Sequence, residues 1–513
     1  MDNQVTLTSA LDELDYSSNL NLILREDSSR VISEELEVIW NDAKEKLEVD
    51  AVYFLGNAPV IYFKRFEALD TKAIANFHCN VWNQSQVPLI IVILPTDIRV
   101  YSGYEAPTPN VIEGLGEPTR LEIAFNPNVP ITASYLWVRL KKFTRDALES
   151  GSLWRDYSEY FRKETRVDQV LLANLRYVRQ ELIKLKNLPP EHAHSLIGRS
   201  IFALYLQDRG VLSTEEPNFF AERYNNRYRR YTDLLISYED TYDFFEFLHN
   251  RFNGDMFPVT EEEKKFVDEQ HLATLRELFT VDRQAGGQML FFWAYNFKFI
   301  PIELISSIYE EFLHQEKDDK NGAYYTPPML VDFVLNVTLP WTDTNYKLRL
   351  LDPACGSGIF LVEAYRRLVE RWRKVHNQRP LFKDLSEILT ASIFGVDIKR
   401  QALRVAAFSL YLAMLDYLEP KSIWMDVHFP PLIGTNLIVD DFFDKLNAFH
   451  EKQFDLVVGN PPWESKLTEH AIDYLRQNNL DVGDKQIAQA FLWHAPDFCT
   501  REGQIALLCS SKS

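Results

Sequence analysis

Apolar positions along this chain fall into three successive patterns, and each predicts a different kind of element. Over residues 1–145, short β-rich runs at Ala51–Leu55, Val60–Phe63, Leu89–Leu94 and Ile98–Tyr101 surround a helical pattern near Thr71–Trp82. That order predicts a small α/β or α+β domain. Over 146–315 apolar residues recur at helical spacing, most clearly in Val167–Asn187 and Ser195–Gln207, and Gly210 and Pro217 close the second stretch. Over 316–513 apolar strands alternate with amphipathic helices, which predicts an α/β domain with its chemistry at the strand ends.

Three of those strand ends carry polar groups. Leu350-Leu351 runs into Asp352-Pro353-Ala354-Cys355-Gly356-Ser357-Gly358 and then into an amphipathic helix over Ile359–Lys374. A strand, a tight glycine turn and a helix N-terminus form a cradle for a small polar ligand, which Gly356 and Gly358 let the backbone approach. The strand Ser392–Val396 ends in Asp397, whose carboxylate suits two ribose hydroxyls; the competing reading is a helix N-cap before Lys399-Arg400-Gln401. The strand Phe454–Gly459 ends in Asn460-Pro461-Pro462-Trp463. Consecutive prolines hold that loop extended without amide hydrogens, so the Asn460 side-chain carbonyl and the Pro461 backbone carbonyl are free to accept from an amino group. Trp463 offers a flat face for a base swung out of its stack. The plainer reading of the tetrapeptide is a Pro-Pro turn with a core tryptophan.

Together, Asp352 to Gly358, Asp397 and Asn460 to Trp463 resemble the signature motifs of S-adenosyl-L-methionine-dependent methyltransferases that act on adenine N6 in DNA. Gly322-Ala323-Tyr324-Tyr325-Thr326-Pro327-Pro328 resembles the cofactor-binding element that precedes the core in their gamma arrangement. It argues for DNA over the protein and RNA methylases that share the Asn-Pro-Pro-aromatic motif. Ile201–Leu212, Phe252–Pro258, Ile300–Leu304 and Tyr309–Leu313 are similar to the helical spacer of large type IIG restriction-modification methylases. The resemblance implies a Rossmann-like class I methyltransferase core at 316–513, preceded by a helical spacer at 146–315 and a small N-terminal α/β domain at 1–145. It implies that Tyr325, Thr326 and Pro327 meet the methionine part of the cofactor, beside Asp352, Ala354, Gly356, Ser357 and Gly358. Asp397 would hold the ribose and Ile398 the cofactor's adenine, with Asn436 or its neighbour Thr435 as a further adenine contact. Asn460, Pro461, Pro462 and Trp463 would hold the target base, whose amino nitrogen takes the methyl directly, with no covalent enzyme intermediate.

Charge complicates this picture. The chain has 74 acidic and 55 basic residues, a formal net charge of −19, whereas duplex DNA favours basic partners, so a DNA-binding surface has to be local. Arg223, Arg227, Arg229 and Arg230 interleave with Tyr224, Tyr228 and Tyr231, which suits phosphate contacts or, alternatively, a solvated face balanced by nearby acids. Cys79, Cys355, Cys499 and Cys509 show no metal-ligand spacing, so no metal site is expected, and the low cysteine count fits a reducing cytoplasm. No apolar stretch approaches a membrane span. The expected partners are double-stranded DNA and other subunits of a restriction or phage-defence system, with no membrane.

In type IIG relatives the N-terminal domain is often a metal-dependent nuclease, and the corresponding acid-x-Lys triplet here is Tyr62-Phe63-Lys64. Tyrosine does not replace a carboxylate as a hard-cation ligand, so a degenerate nuclease-like, DNA-binding or partner-docking domain is expected. Gln504–Cys509 reads as a further core strand, and the resemblance implies more strands and a target-recognition domain beyond it. The chain is therefore expected to be a fragment or one part of a split enzyme. Site-specific adenine-N6 methylation is the expected function. A bifunctional methylase-endonuclease and a non-catalytic cofactor-binding or assembly subunit stay open.

Overall fold

The computed structural model describes residues 5–26, 34–123, 138–253, 255, 258–280, 283–285, 288–290, 295–302, 304, 326–444, 448–449 and 452–509. They divide into two units, Met1–Tyr177 with Leu278–Ile300, and Val178–Glu277 with Pro301–Ser513.

In the first unit β1 (Leu22–Leu24), β2 (Ala51–Leu55), β3 (Ala58–Arg65), β4 (Leu89–Ile93), β5 (Ile98–Ser102) and β6 (Arg120–Ile123) form one sheet in that order. Neighbours run antiparallel except β3 and β4, which are parallel. A parallel pair needs a crossover, and helix α1 (Thr71–Gln84) supplies it, started by the Asp70 carboxylate accepting from Ala73 N at 3.0 Å. β4 reads Leu-Ile-Ile-Val-Ile without alternation because both faces of the sheet are covered. Leu89, Ile91 and Ile93 share one core with Leu148 and Leu153, and Ile90 and Val92 share the other with Ile74, Phe77 and Val81. Leu148 and Leu153, although inside the stretch read as a helical spacer, thus belong to the core of this sheet. Tyr62 of the Tyr62-Phe63-Lys64 triplet is buried, with its hydroxyl 3.0 Å from Gln84 Oε1, and Lys64 Nζ donates to Glu48 O at 2.5 Å. A short antiparallel pair, β7 (Arg283–Ala285) and β8 (Gln288–Leu290), completes the strands of this unit.

The second unit opens with α2 (Pro190–Asp208), buried along most of its length, and α3 (Tyr238–Phe252). Phe202 of α2 packs edge-on against Phe252 of α3. Between them, three arginines of the arginine-tyrosine cluster are paired with acids. Arg223 pairs with Asp243 at 2.8 Å, Arg227 grips both oxygens of Asp240 at 2.6 and 3.0 Å, and Arg229 meets Glu216 at 2.5 Å. At Arg223, Arg227 and Arg229 the face is acid-balanced.

Next come α4 (Pro328–Thr338), α5 (Ile359–His376), α6 (Phe382–Ser392), α7 (Arg400–Leu415) and α8 (Ile487–Phe498), interleaved with five strands. β9 (Leu350–Asp352), β10 (Ile393–Asp397), β11 (Leu437–Val439), β12 (Phe454–Gly459) and β13 (Cys499–Leu507) form an all-parallel sheet in the order β11-β10-β9-β12-β13. From β9 the chain steps outward to β11, then returns to set β12 on the other side of β9. That reversal of direction is the doubly wound, Rossmann-like arrangement expected from the sequence. It opens a crevice at the carboxyl ends of the two central strands.

α5 is amphipathic, but two of its charges point inward. Arg367 and Arg371 are fully buried and tie the chain after α4 to α5. Arg367 Nη1 donates to Leu339 O at 3.1 Å, and Arg371 reaches Pro340 O at 2.6 Å and Asn345 O at 2.8 Å. Removing a buried guanidinium strands the carbonyls that it satisfied. We expect Arg371→Met to lower stability by about 3 kcal/mol, read as a shift of the urea unfolding midpoint; an unmoved midpoint would show that these bonds contribute nothing net.

Candidate functional site

The crevice is built first by exclusion. Gly459, the last residue of β12, sits against Asp352, the last residue of β9, so closely that a Cβ there would overlap the carboxylate oxygen Oδ1. The same oxygen accepts from Ala354 N at 3.1 Å, which turns the chain into the glycine loop. Cys355 N then donates to Val396 O of β10 at 3.0 Å, and the Cys355 thiol is buried against Gly395, where burial pushes its pKa up. Gly358 starts α5 with φ +86°, and a Cβ on it would stand 2.9 Å from Ala406 Cβ of α7. A side chain at 358 would both strain the backbone and part the two helices.

Asp397, at the end of β10, accepts from Gly356 N at 3.0 Å through one oxygen and from Lys399 N at 2.8 Å through the other. The N-cap of α7 is Lys399, which makes no side-chain capping bond, so Asp397 is not the helix cap and instead holds the turn that leads into α7. Burial raises its pKa, and the two backbone amides oppose that rise. Beside it Ile398 is 63% exposed, an apolar side chain at the rim of the crevice.

Asn436 does not face this rim. Its side-chain amide is buried and donates to Thr390 O and Ile393 O, both at 2.8 Å, so both of its N–H groups are spent joining α6 to β10. The expected adenine contact is replaced by a structural task. Thr435 is likewise turned back, its hydroxyl donating to Pro431 O at 2.7 Å. The next carboxylate along the chain is that of Asp440. β11 pairs Val439 with Asp397, and the residue after Val439 is Asp440, whose N donates to Asp397 O at 3.1 Å. Asp440 is half-buried and, like Asp397, has its pKa raised by burial. The signal was present in the sequence: Leu437-Ile438-Val439-Asp440-Asp441 repeats the strand-then-carboxylate form of Ile393–Asp397.

At the end of β12, Asn460 Nδ2 donates to Thr326 Oγ1 at 3.0 Å, and Thr326 is itself buried. That bond orients the amide. It leaves Asn460 Oδ1 as a buried acceptor with no partner, a costly arrangement unless a ligand supplies a donor. Pro461 is buried, Pro462 exposed, and Trp463 Nε1 donates to Leu508 O at 3.1 Å, which fixes the indole beside the end of β13. Trp463 is half-buried rather than a core tryptophan.

The structure thus gathers Thr326, Asp352, Ala354, Gly356, Ser357, Gly358, Asp397 and Asn460 to Trp463 along the carboxyl edge of one sheet. Pro327 is the exposed N-cap of α4, next to Thr326. Tyr325 lies outside the described residues. Among the described residues no three His, Cys, Asp or Glu side chains cluster as metal ligands, and no helix is long and apolar enough to cross a membrane.

Residues 301–513 match the N-6 DNA Methylase family. The chain is 28% identical over 202 residues to the type II methyltransferase M.BstVI of Geobacillus stearothermophilus, covering 37% of this chain and 34% of that protein. It is 23% identical over 427 residues to the type II restriction enzyme and methyltransferase RM.Eco57I of Escherichia coli, covering 71% of this chain and 40% of that protein. The chain therefore spans well under half the length of either relative. Among solved structures, the type IIL restriction-modification enzyme MmeI in complex with DNA aligns with a TM-score of 0.42 at 15% identity, covering 66% of this chain and 50% of that one.

Gly459→Ala is the sharpest probe of the crevice floor. The added methyl is expected to lower stability by about 1–3 kcal/mol, measured by thermal unfolding, because Asp352 has to move.

Proposed function

We propose, from the premise that residues 301–513 carry an N-6 DNA methylase domain, that this chain holds S-adenosyl-L-methionine in the crevice and methylates a flipped adenine in double-stranded DNA at N6. The observation that carries the reading is the unpartnered, buried Asn460 Oδ1, fixed by Thr326 so that it faces a ligand. An adenine amino group has two hydrogens to give, and Oδ1 with the Pro461 carbonyl supplies two acceptors. Accepting those hydrogens draws the nitrogen toward a tetrahedral, more nucleophilic geometry. Trp463 gives the displaced base a face to stack on.

The cofactor supplies the electrophilic methyl carried on its sulfonium. The residues fit such a ligand: the loop from Asp352 to Gly358 leaves room for its close approach, Asp397 would offer a carboxylate to its ribose, and Ile398 and Asp440 would flank the adenine end. Thr326, bonded to Asn460, and Pro327 would meet its methionine part. Positioning and preorganised acceptors do most of the catalytic work here, with no tuned histidine or covalent nucleophile. A restriction or phage-defence system is the setting that fits the type II relatives, and DNA and further subunits of such a system are the partners. We assign no cleavage to the first unit, because Tyr62 stands where a carboxylate ligand would be needed.

Asn460→Ala is expected to keep cofactor affinity in calorimetric titration and to lose about 100- to 1,000-fold in methyl transfer, measured as N6-methyladenine in digested DNA. Retained transfer would remove Asn460 from the mechanism. Asp397 has to be charged to accept two hydroxyls, and burial has raised its pKa. Cofactor affinity should therefore fall as pH is lowered, beginning at a higher pH than an ordinary aspartate would give. Asp397→Asn should bind weakly and abolish that pH dependence.

A further inference from the structure

The carboxylate of Asp255 accepts from two successive backbone amides, Leu432 N at 2.6 Å and Ile433 N at 2.8 Å, both through Oδ2. The Tyr411 hydroxyl lies 3.3 Å from the same oxygen and donates to Pro430 O at 2.7 Å. Tyr411 is fully buried on α7 and stacks on Phe429 with ring centroids 4.3 Å apart. Just before Asp255, Arg251 Nη1 donates to Val427 O at 3.3 Å, and Phe252 O accepts from Phe429 N at 2.7 Å. The end of α3 and Asp255 thus grip the segment 427–433 along its length. Bonds from paired amides to a carboxylate are among the stronger ones a loop can make.

The loop carries this grip into the crevice. Leu432 O accepts from Asn436 N at 2.9 Å and from Leu437 N at 2.8 Å. Asn436 in turn accepts from Gly395 N at 2.9 Å and donates its side chain to α6 and β10. β11 has three residues and lies at the edge of the sheet, so its own ladder holds it weakly. The anchored loop decides where β11 lies, and with it where Asp440 stands beside Asp397.

We infer that Asp255 is a positioning residue for the cofactor crevice, setting β11 and Asp440 through the loop 427–436 without touching the ligand. The inference rests on the reading of the crevice as a cofactor site.

Hydrogen exchange with mass spectrometry on the 513-residue chain reads the loop, and calorimetric titration of S-adenosylmethionine reads the crevice. Asp255→Ala is expected to speed exchange of amides 430–437 and to weaken cofactor binding about ten-fold, while exchange across β12 and Asn460 stays unchanged. Tyr411→Phe keeps the stack on Phe429, loses only the hydroxyl, and should loosen the same segment even where Asp255→Ala does not fold. Faster exchange with unchanged affinity overturns the positioning role and leaves a structural clamp. Unchanged exchange overturns the clamp itself. A wild-type chain that binds no cofactor overturns the cofactor reading and the positioning role with it, and exchange at 430–437 still tells that failure apart from a missing clamp.

Discussion

The contact of Asp352 with the bare Cα of Gly459 is the constraint on which the second unit turns. β9 and β12 are sequence-distant neighbours, and the sheet reverses its winding between them. A side chain at 459 would push the strand ends apart, and Asp352 would lose its place capping Ala354 N. The glycine loop, the Asp397 bonds to Gly356 and Lys399, and the Asn460 loop all leave from those two strand ends or from the next one. Close packing at that point is thus the common origin of the cradle on one side and the acceptor loop on the other.

Charge at this edge follows from the same geometry. Asp352 and Asp397 end two adjacent strands, and Asp440 follows the third. Asp397 is held by two backbone amides, and Asp440 Oδ1 accepts from Asp441 N at 2.8 Å. Dipoles answer these carboxylates without cancelling their charge. Burial raises the pKa of Asp397 and Asp440, and the backbone amides oppose that rise. The chain has a net charge of −19, and Arg223, Arg227 and Arg229 of the arginine-tyrosine cluster are paired with acids.

What the sequence revealed was the chemistry carried by short local patterns. Strand, glycine turn and helix at 350–374, the carboxylate at 397 and the tetrapeptide at 460 all depend on neighbours within a few positions, so reading along the chain finds them. Direction was harder to read. Asn436 looks like a free polar residue at a strand start, and only its bonds to Thr390 and Ile393 show that its amide turns into the core. Arg367 and Arg371 look like the polar face of an amphipathic helix, yet their partners are carbonyls some thirty residues earlier. The Arg223–Arg230 cluster was ambiguous for a similar reason: Asp240, Asp243 and Glu216, which neutralise it, come from other turns of the chain.

The bond from Asn460 to Thr326 spans 134 positions of sequence. A ribosome adding about 5–20 residues per second needs on the order of ten seconds to cross that interval. Throughout it the threonine already exists and the asparagine does not. A nascent chain that has not yet reached Asn460 therefore lacks the oriented amide, whatever else has folded. The acceptor is assembled by the joining of two segments made far apart in time.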